Sequence, residues 1–209
     1  MEAEVSFVKP VAISSTPKRF FDIIAAGTAL TVLSPLLAVV AIIIKLDSPG
    51  PVVFRQERVG KGGGIFNMFK FRTMQQDAEL HKKDLKHLNE ADGPVFKMKN
   101  DPRVTRAGAF LRRHCLDELL QLFNILMGDM SVVGPRPPTP DELLAYKAWH
   151  YRRFEATPGL TCIWQVNNDR TLAFDDWVKL DIEYIETRNF LLDMKLILKT
   201  IPIVIFGQH

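Results

Sequence analysis

The chain has little cysteine. Two in 209 residues are too few for a disulfide-stapled scaffold or a cysteine-built zinc module. The five histidines show neither an HExxH run nor any paired spacing, which argues against a zinc site. Internal repeats and low-complexity tracts are missing, so fibrous and disordered classes fall away. No large excess of one charge exists: 27 Lys+Arg stand against 24 Asp+Glu, a formal net charge of +3. The basic residues are not gathered with stacking aromatics, which leaves nucleic acid a poor candidate partner. A signal peptide is not expected either. Glu2 and Glu4 stand where a basic start belongs, and no small-residue cleavage site follows the apolar stretch.

What is present looks average at first. Hydrophobic residues make up 47% and charged residues 24%, near globular norms and far from a multi-span transporter. The mean hydropathy of +0.02 hides segregation, however. From Ile23 to Ile44 the chain runs 22 residues without a charge. As a straight helix that run reaches about 33 Å, enough for the hydrocarbon core of a bilayer. A buried core helix is the alternative, but such helices rarely run so far without a polar face. Ser34-Pro35 falls just past the middle, where proline removes a hydrogen bond and kinks or breaks a helix. Lys18 and Arg19 precede the run, and Lys45, Arg55, Arg58 and Lys61 follow it. Positive flanks at both ends favour the same, cytoplasmic side. The expectation is therefore a re-entrant helix–break–helix over residues 18–46, broken at Ser34-Pro35, rather than a full span. The freed backbone groups would be met by the Ser34 and Thr31 hydroxyls.

Residues 1–17 form a short tail, and residues 47–209 suffice for one compact domain. The alternation in 47–58 and 65–74 around the glycine-rich turn 59–64 predicts a β-hairpin. That turn lacks the Lys-Ser/Thr ending of a phosphate loop and joins two strands rather than a strand and a helix. Residues 75–92 suit an exposed polar helix. The spacing of Leu111, Leu119, Leu122, Phe123 and Leu126 predicts a helix over 110–127 closed by Gly128. A rigid proline loop at 131–140 precedes amphipathic helices over 141–156 and 174–188. The apolar tail 190–206 carries Lys195 and Lys199, the mix of a helix lying in a membrane interface or one packed on the core. The fold class expected is mixed α/β, helix-rich, with a small hairpin.

Asp117-Glu118 is either a pair of helix-start acids favoured by the dipole or the acidic part of a site. Its company favours the second reading. Arg112 and Arg113 stand just upstream, with Arg103 and Arg106 before them. Carboxylates beside guanidiniums suit a divalent cation and phosphoryl oxygens, and a carboxylate can also attack phosphorus. Arg136 stands between Pro135 and Pro137, which stiffen its presentation to a phosphate; in isolation it would be an ordinary loop arginine. Lys70 and Arg72 share a strand face, either projecting into a site or into solvent. Cys115 and Cys162 read as reduced, inert thiols.

These residues, taken in order, resemble a known family. KRFFD (18–22), Ser34-Pro35, SPGPVVFRQERVG (48–60), FKFRTM (69–74), DPRVTRAG (101–108), LRRHCLDELLQLFNILMGDMSVVGPRP (111–137) and PGLTCIWQV (158–166) look like the bacterial sugar transferases called monotopic phosphoglycosyl transferases, in their short form without further N-terminal membrane helices. The resemblance implies transfer of a sugar-1-phosphate from a UDP-sugar to a polyprenyl phosphate such as undecaprenyl phosphate, with release of UMP. The lipid-linked product would start a cell-surface glycan that downstream glycosyltransferases extend. It further implies Mg²⁺, a re-entrant membrane helix, and a catalytic domain at the cytoplasmic face of the bacterial inner membrane. Asp117 matches the nucleophile, Glu118 its acidic partner that helps hold Mg²⁺, and Arg112 and Arg136 match cations near the phosphates. One departure stands out. The family's Trp-Gln-Val is usually followed by a small residue and Gly-Arg, whereas Trp164-Gln165-Val166 is followed here by Asn167-Asn168-Asp169-Arg170. Asp169 then falls where the arginine is usual and Arg170 comes one later, so either Arg170 replaces it by a local shift or the donor contacts differ. Leu120 also stands where proline is usual. Two competing readings remain: a non-catalytic membrane-anchored scaffold of the same fold, and a soluble nucleotide-binding enzyme whose apolar run is core. Exposed apolar helices leave a homodimer open.

Overall fold

A computed structural model of the chain describes residues 16–78, 80, 84–90, 92–96, 98–167 and 172–207. It contains one long N-terminal helix laid along a helix-rich body with two small sheets. Helix α1 spans Thr16–Asp47, 32 residues. Among the described residues it is the one helix long and apolar enough to cross a membrane.

The expected division of this segment into two helices at Ser34-Pro35 does not occur, and helical structure continues through the proline. Pro35 has no N–H to offer the carbonyl of Thr31 four residues back. The Ser34 hydroxyl donates to that oxygen instead, at 2.8 Å, and the Thr31 hydroxyl donates to the Gly27 carbonyl at 2.9 Å. Of the two hydroxyls expected to meet freed backbone groups, that of Ser34 thus takes the carbonyl that Pro35 leaves open.

Both halves of α1 rest on the same body. Ala26 packs with Met68, Leu122, Ile125 and Met130, and Val40 and Ile44 pack with Phe71, Leu111 and Leu120. Polar ties reinforce each end. Lys18 pairs with Asp193 at 2.7 Å. The Asp22 carboxylate accepts from the Val132 N–H at 3.0 Å, and the Arg19 guanidinium donates to the carbonyls of Ile125 and Leu126. At the far end Asp47 accepts from the Ala107 N–H at 3.2 Å. Much of the remaining α1 surface, including Phe20, Ile24, Val32, Val39, Ile42 and Leu46, is exposed.

Strands β1 (Val53–Val59) and β2 (Ile65–Phe71) form the expected antiparallel hairpin. Its turn uses Gly62 and Gly63 at φ 67° and 83°, conformations that glycine adopts without strain. The described part of the polar stretch 75–92 is not the expected helix. It holds turns, a 3₁₀ position at Leu80 and the 3₁₀ segment Lys86–Leu88, because sparse leucines supply no apolar face to pack. The helix expected over 110–127 is also divided: α2 (Arg106–Arg113), a 3₁₀ turn at Leu116–Glu118, and α3 (Gln121–Met127). The division falls at Cys115, a non-glycine residue at φ 54°. Gly128 closes α3 in the left-handed region at φ 99°, as expected.

Two three-residue strands follow that the sequence pattern did not announce. β3 (Ser131–Val133) pairs in parallel with β4 (Gly159–Thr161). Beyond β3 the backbones approach so closely that a Cβ on Gly159 would lie 2.0 Å from the Gly134 nitrogen. The segment expected as one amphipathic helix over 141–156 is two 3₁₀ runs, Pro140–Ala145 and Ala148–Glu155. Tyr146 and Lys147 between them are extended, which sets the Tyr146 ring against His150, Phe154 and Phe174. Helix α4 (Ile163–Asn167) is short. Helices α5 (Phe174–Thr187) and α6 (Phe190–Phe206) match expectation. Val133, Ala156, Tyr184, Ile185 and Leu196 join β3, α5 and α6 in a third apolar cluster.

Candidate active site

The site grows from strand parity. In the hairpin, Phe69 and Phe71 face one side while Lys70 faces the other, the side it shares with Gln56 and Arg58. Phe71 is buried with Leu111 and Leu120, so packing on one face fixes where Lys70 points on the other. The turn after Cys115 then brings Asp117 and Glu118 over it. Lys70 Nζ donates to Glu118 Oε1 at 2.7 Å, and Arg136 from the proline loop reaches the same oxygen at 3.3 Å.

The two acids differ sharply. Burial pushes the Glu118 carboxyl up, but Lys70 and Arg136 outweigh it and hold the group well below the usual carboxylate range. Burial pushes Asp117 up to about 6, with Lys70 opposing and the neighbouring Glu118 adding to the rise. Among the described residues no hydrogen bond or ion pair reaches the Asp117 carboxylate, although the residue is only 8% exposed. Asp117 is thus a carboxylate walled in by cations but held by none. Arg112 acts on Asp117 electrostatically, and its Nε donates to the Thr73 hydroxyl at 2.8 Å. Burial lifts the Cys115 thiol to about 12, which makes it inert as expected.

This pair suits a hard divalent cation that takes its other ligands from phosphate oxygens and water. Among the described residues no group of three or more His, Cys, Asp or Glu could hold an ion by itself. The surrounding Arg136, Arg112 and Lys70 suit the same phosphates.

Residues 13–207 match the family of bacterial sugar transferases. The chain belongs to that family. Among its relatives, the galactosyl transferase CpsE of Streptococcus agalactiae is 43% identical over 191 residues, covering 91% of this chain and 42% of its own length. The exopolysaccharide production protein ExoY of Rhizobium meliloti is 37% identical over 209 residues, covering 98% of this chain and 92% of its own. The undecaprenyl-phosphate galactose phosphotransferase of Salmonella typhimurium is 37% identical over 196 residues, covering 90% and 40%. The chain thus spans less than half the length of the first and third and most of the second.

In this bacterial sugar transferase the structure brings together Asp117, Glu118, Lys70, Arg136 and Arg112. It does not bring Arg72 to them. That guanidinium is occupied by the turn before β1, donating to the Ser48 and Pro49 carbonyls at 2.6 and 2.7 Å. Arg170, with Asn168 and Asp169, lies outside the described residues. Sequence reasoning passed over Arg58, which faces Arg136 and donates to the Pro137 carbonyl at 2.8 Å. Its position on the Lys70 face of the hairpin was the available signal. It also passed over Arg153 and Asp181, a buried pair at 2.7 Å behind the proline loop, which no local pattern marks.

Proposed function

We propose that this sugar transferase moves a sugar-1-phosphate from a UDP-sugar to a polyprenyl phosphate such as undecaprenyl phosphate, through a covalent intermediate on Asp117. The observation that carries the proposal is the contrast between the acids: one Glu118 oxygen takes both Lys70 and Arg136, while among the described residues no hydrogen bond or ion pair reaches the Asp117 carboxylate. An Asp117 oxygen attacks the phosphorus bearing the sugar. The bond from that phosphorus to the bridging oxygen breaks, and UMP departs with the bond's electron pair. The acceptor phosphate then attacks the same phosphorus and expels the Asp117 carboxylate. Two displacements at one residue give ping-pong kinetics. Arg136 and Arg112 bind and orient the donor's phosphates, and Lys70 keeps Glu118 ionised. Glu118, with Asp117 beside it, is the proposed holder of Mg²⁺. When bound, that ion neutralises charge on the transferring and leaving phosphates. The names of relatives such as the undecaprenyl-phosphate galactose phosphotransferase support this substrate class.

A lipid acceptor needs a site at a membrane. The uncharged run of α1 and the exposed Phe190, Leu191, Leu198, Ile201, Ile205 and Phe206 of α6 form apolar surface suited to lipid. Both ends of α1 are tied to one body, which favours a re-entrant anchor over a full span. The basic flanks favour the cytoplasmic face of the inner membrane for the body, where its product would start an exopolysaccharide or related glycan.

The test is a UMP-release assay on the purified protein with Mg²⁺, undecaprenyl phosphate and a panel of UDP-sugars. With one of those sugars we expect UMP to be released once per protein without acceptor and repeatedly with it. Release that needs acceptor for even the first turnover would overturn the covalent route, and no release with any sugar would favour the scaffold reading. Cysteines placed singly at the two ends of α1 should be blocked from one side of the membrane only; labelling from opposite sides would sink the re-entrant anchor.

A further inference from the structure

The loop that presents Arg136 is held in an unusual way. In Pro135-Arg136-Pro137-Pro138 only Arg136 has a backbone N–H, so the loop has almost nothing to donate and must be fixed through its carbonyls. Each of the four carbonyls is taken. Pro135 accepts from the Gly159 N–H at 2.9 Å, Arg136 from the Arg153 guanidinium at 2.9 Å, Pro137 from the Arg58 guanidinium at 2.8 Å, and Pro138 from the Val59 N–H at 2.9 Å. The contact to the carbonyl of Arg136 itself is thus made by a side chain.

That side chain is buried. Arg153 is 6% exposed and Asp181 1%. The guanidinium meets Asp181 at 2.7 Å and also donates to the Tyr146 hydroxyl. Its Nη1 is thus set by Tyr146, while Nη2 meets Asp181 and donates to the Arg136 carbonyl from the same nitrogen. A buried ion pair is a poor way to gain stability, since apolar residues of similar volume often do as well or better. A planar fork that fixes one backbone group is something those apolar residues cannot supply, nor can the single ammonium of lysine.

We infer that Arg153 is a positioning residue for Arg136, acting through that residue's carbonyl, with Asp181 as its buried counter-charge. The inference rests on the reading that Arg136 clamps the donor's phosphates. Without the Arg153 contact, the Arg136 peptide alone in the loop loses its tie while its neighbours stay held, and a small tilt of that peptide carries the guanidinium off the phosphates. Misplacement of about 1 Å costs on the order of 10²-fold in rate.

The experiment is a double-mutant cycle on full-length protein, read both as single-turnover UMP release and as melting temperature. Arg153→Lys keeps a cation beside Asp181 but loses the fork. We expect it to slow release about 10- to 100-fold in the wild-type background and less than about 2-fold in the Arg136→Ala background, while its shift in melting temperature is the same in both. An equal loss of rate in both backgrounds means that Arg153 serves the fold alone and overturns the inference, as does wild-type rate in Arg153→Lys. Should Arg153→Lys fail to fold, the paired replacement Arg153→Met with Asp181→Leu removes both charges and the donor together, with the same expectations. Full activity in Arg136→Ala alone removes the phosphate-clamp reading itself, an outcome separate from either of these.

Discussion

The turn at 115–118 and the loop at 135–138 face each other across Glu118 and are built on opposite plans. The turn leaves one acid open. It starts from a left-handed Cys115 and sets Asp117, whose carboxylate no hydrogen bond or ion pair reaches among the described residues, beside Glu118, which Lys70 and Arg136 hold. The loop is over-bonded, with a donor on every carbonyl. The difference matches the tasks proposed for them. A group that makes and breaks a bond to phosphorus must be free of competing contacts, whereas a group that only holds charge in place gains from rigidity.

The contrast breaks most visibly at Asp117. Asp117→Asn should lower UMP release by about 10³-fold or more while leaving the melting temperature unchanged or slightly raised, because the amide removes a charge disfavoured by burial. Near-normal turnover in this variant would erase the difference between the two regions. Glu118→Gln sharpens it from the other side. It should cost activity by about 10²-fold, and it should also cost stability by about 3 kcal/mol, because Lys70 is left as a buried charge without its partner. Denaturant unfolding of the two variants should therefore move in opposite senses. If both lose the same stability, the acids are not differently held.

Next comes Arg136→Ala, expected to lose about 10²-fold in release, against Arg113→Ala, expected to lose less than about 2-fold since Arg113 lacks any such loop. Equal effects would deny the loop its role. The smallest effect belongs to Cys115→Gly. Relief of the left-handed strain is worth about 1–2 kcal/mol, and the added freedom of the unfolded chain takes back about 1 kcal/mol. The net gain in stability should be below about 1 kcal/mol with activity retained. A loss of stability would mean that the turn is not strained at this residue.

Much of this arrangement was legible in the sequence, and the limits have physical causes. The hairpin was visible because glycine marks its turn and apolar residues alternate on either side, which also delivers Lys70 to its place. Asp117, Glu118 and Arg136 were visible because carboxylates among arginines, and an arginine between prolines, are uncommon. The break at Cys115 was not, because neither glycine nor proline occupies the left-handed position. The β3–β4 pair was not, because three residues are too few to show alternation. The 3₁₀ runs across 140–155 mimic a helical spacing until the Tyr146 ring is packed among its neighbours. Arg72 has the right parity on β2, but nothing local shows that the turn at Ser48-Pro49 folds back onto its guanidinium. Arg153 and Asp181 act through a backbone carbonyl far away in sequence, a partnership that only the folded chain displays.

The ties of α1 to the body have a consequence for the order in which the protein is made. Arg19 meets a carbonyl 106 residues further on, Asp22 an N–H 110 residues on, and Lys18 a carboxylate 175 residues on. The anchor leaves the ribosome first, yet its polar end is completed only when nearly the whole chain has followed. Until Val132 has followed, Asp22 lacks the group that satisfies it in the folded chain, and Lys18, four residues before it and 4.0 Å away in the fold, is a counter-charge on the same helix. Docking of the finished body supplies Val132, the last residue but one before the glycine that opens the Arg136 loop. The tie from Asp22 to Val132 thus couples the seating of α1 to the strand that leads into the Arg136 loop.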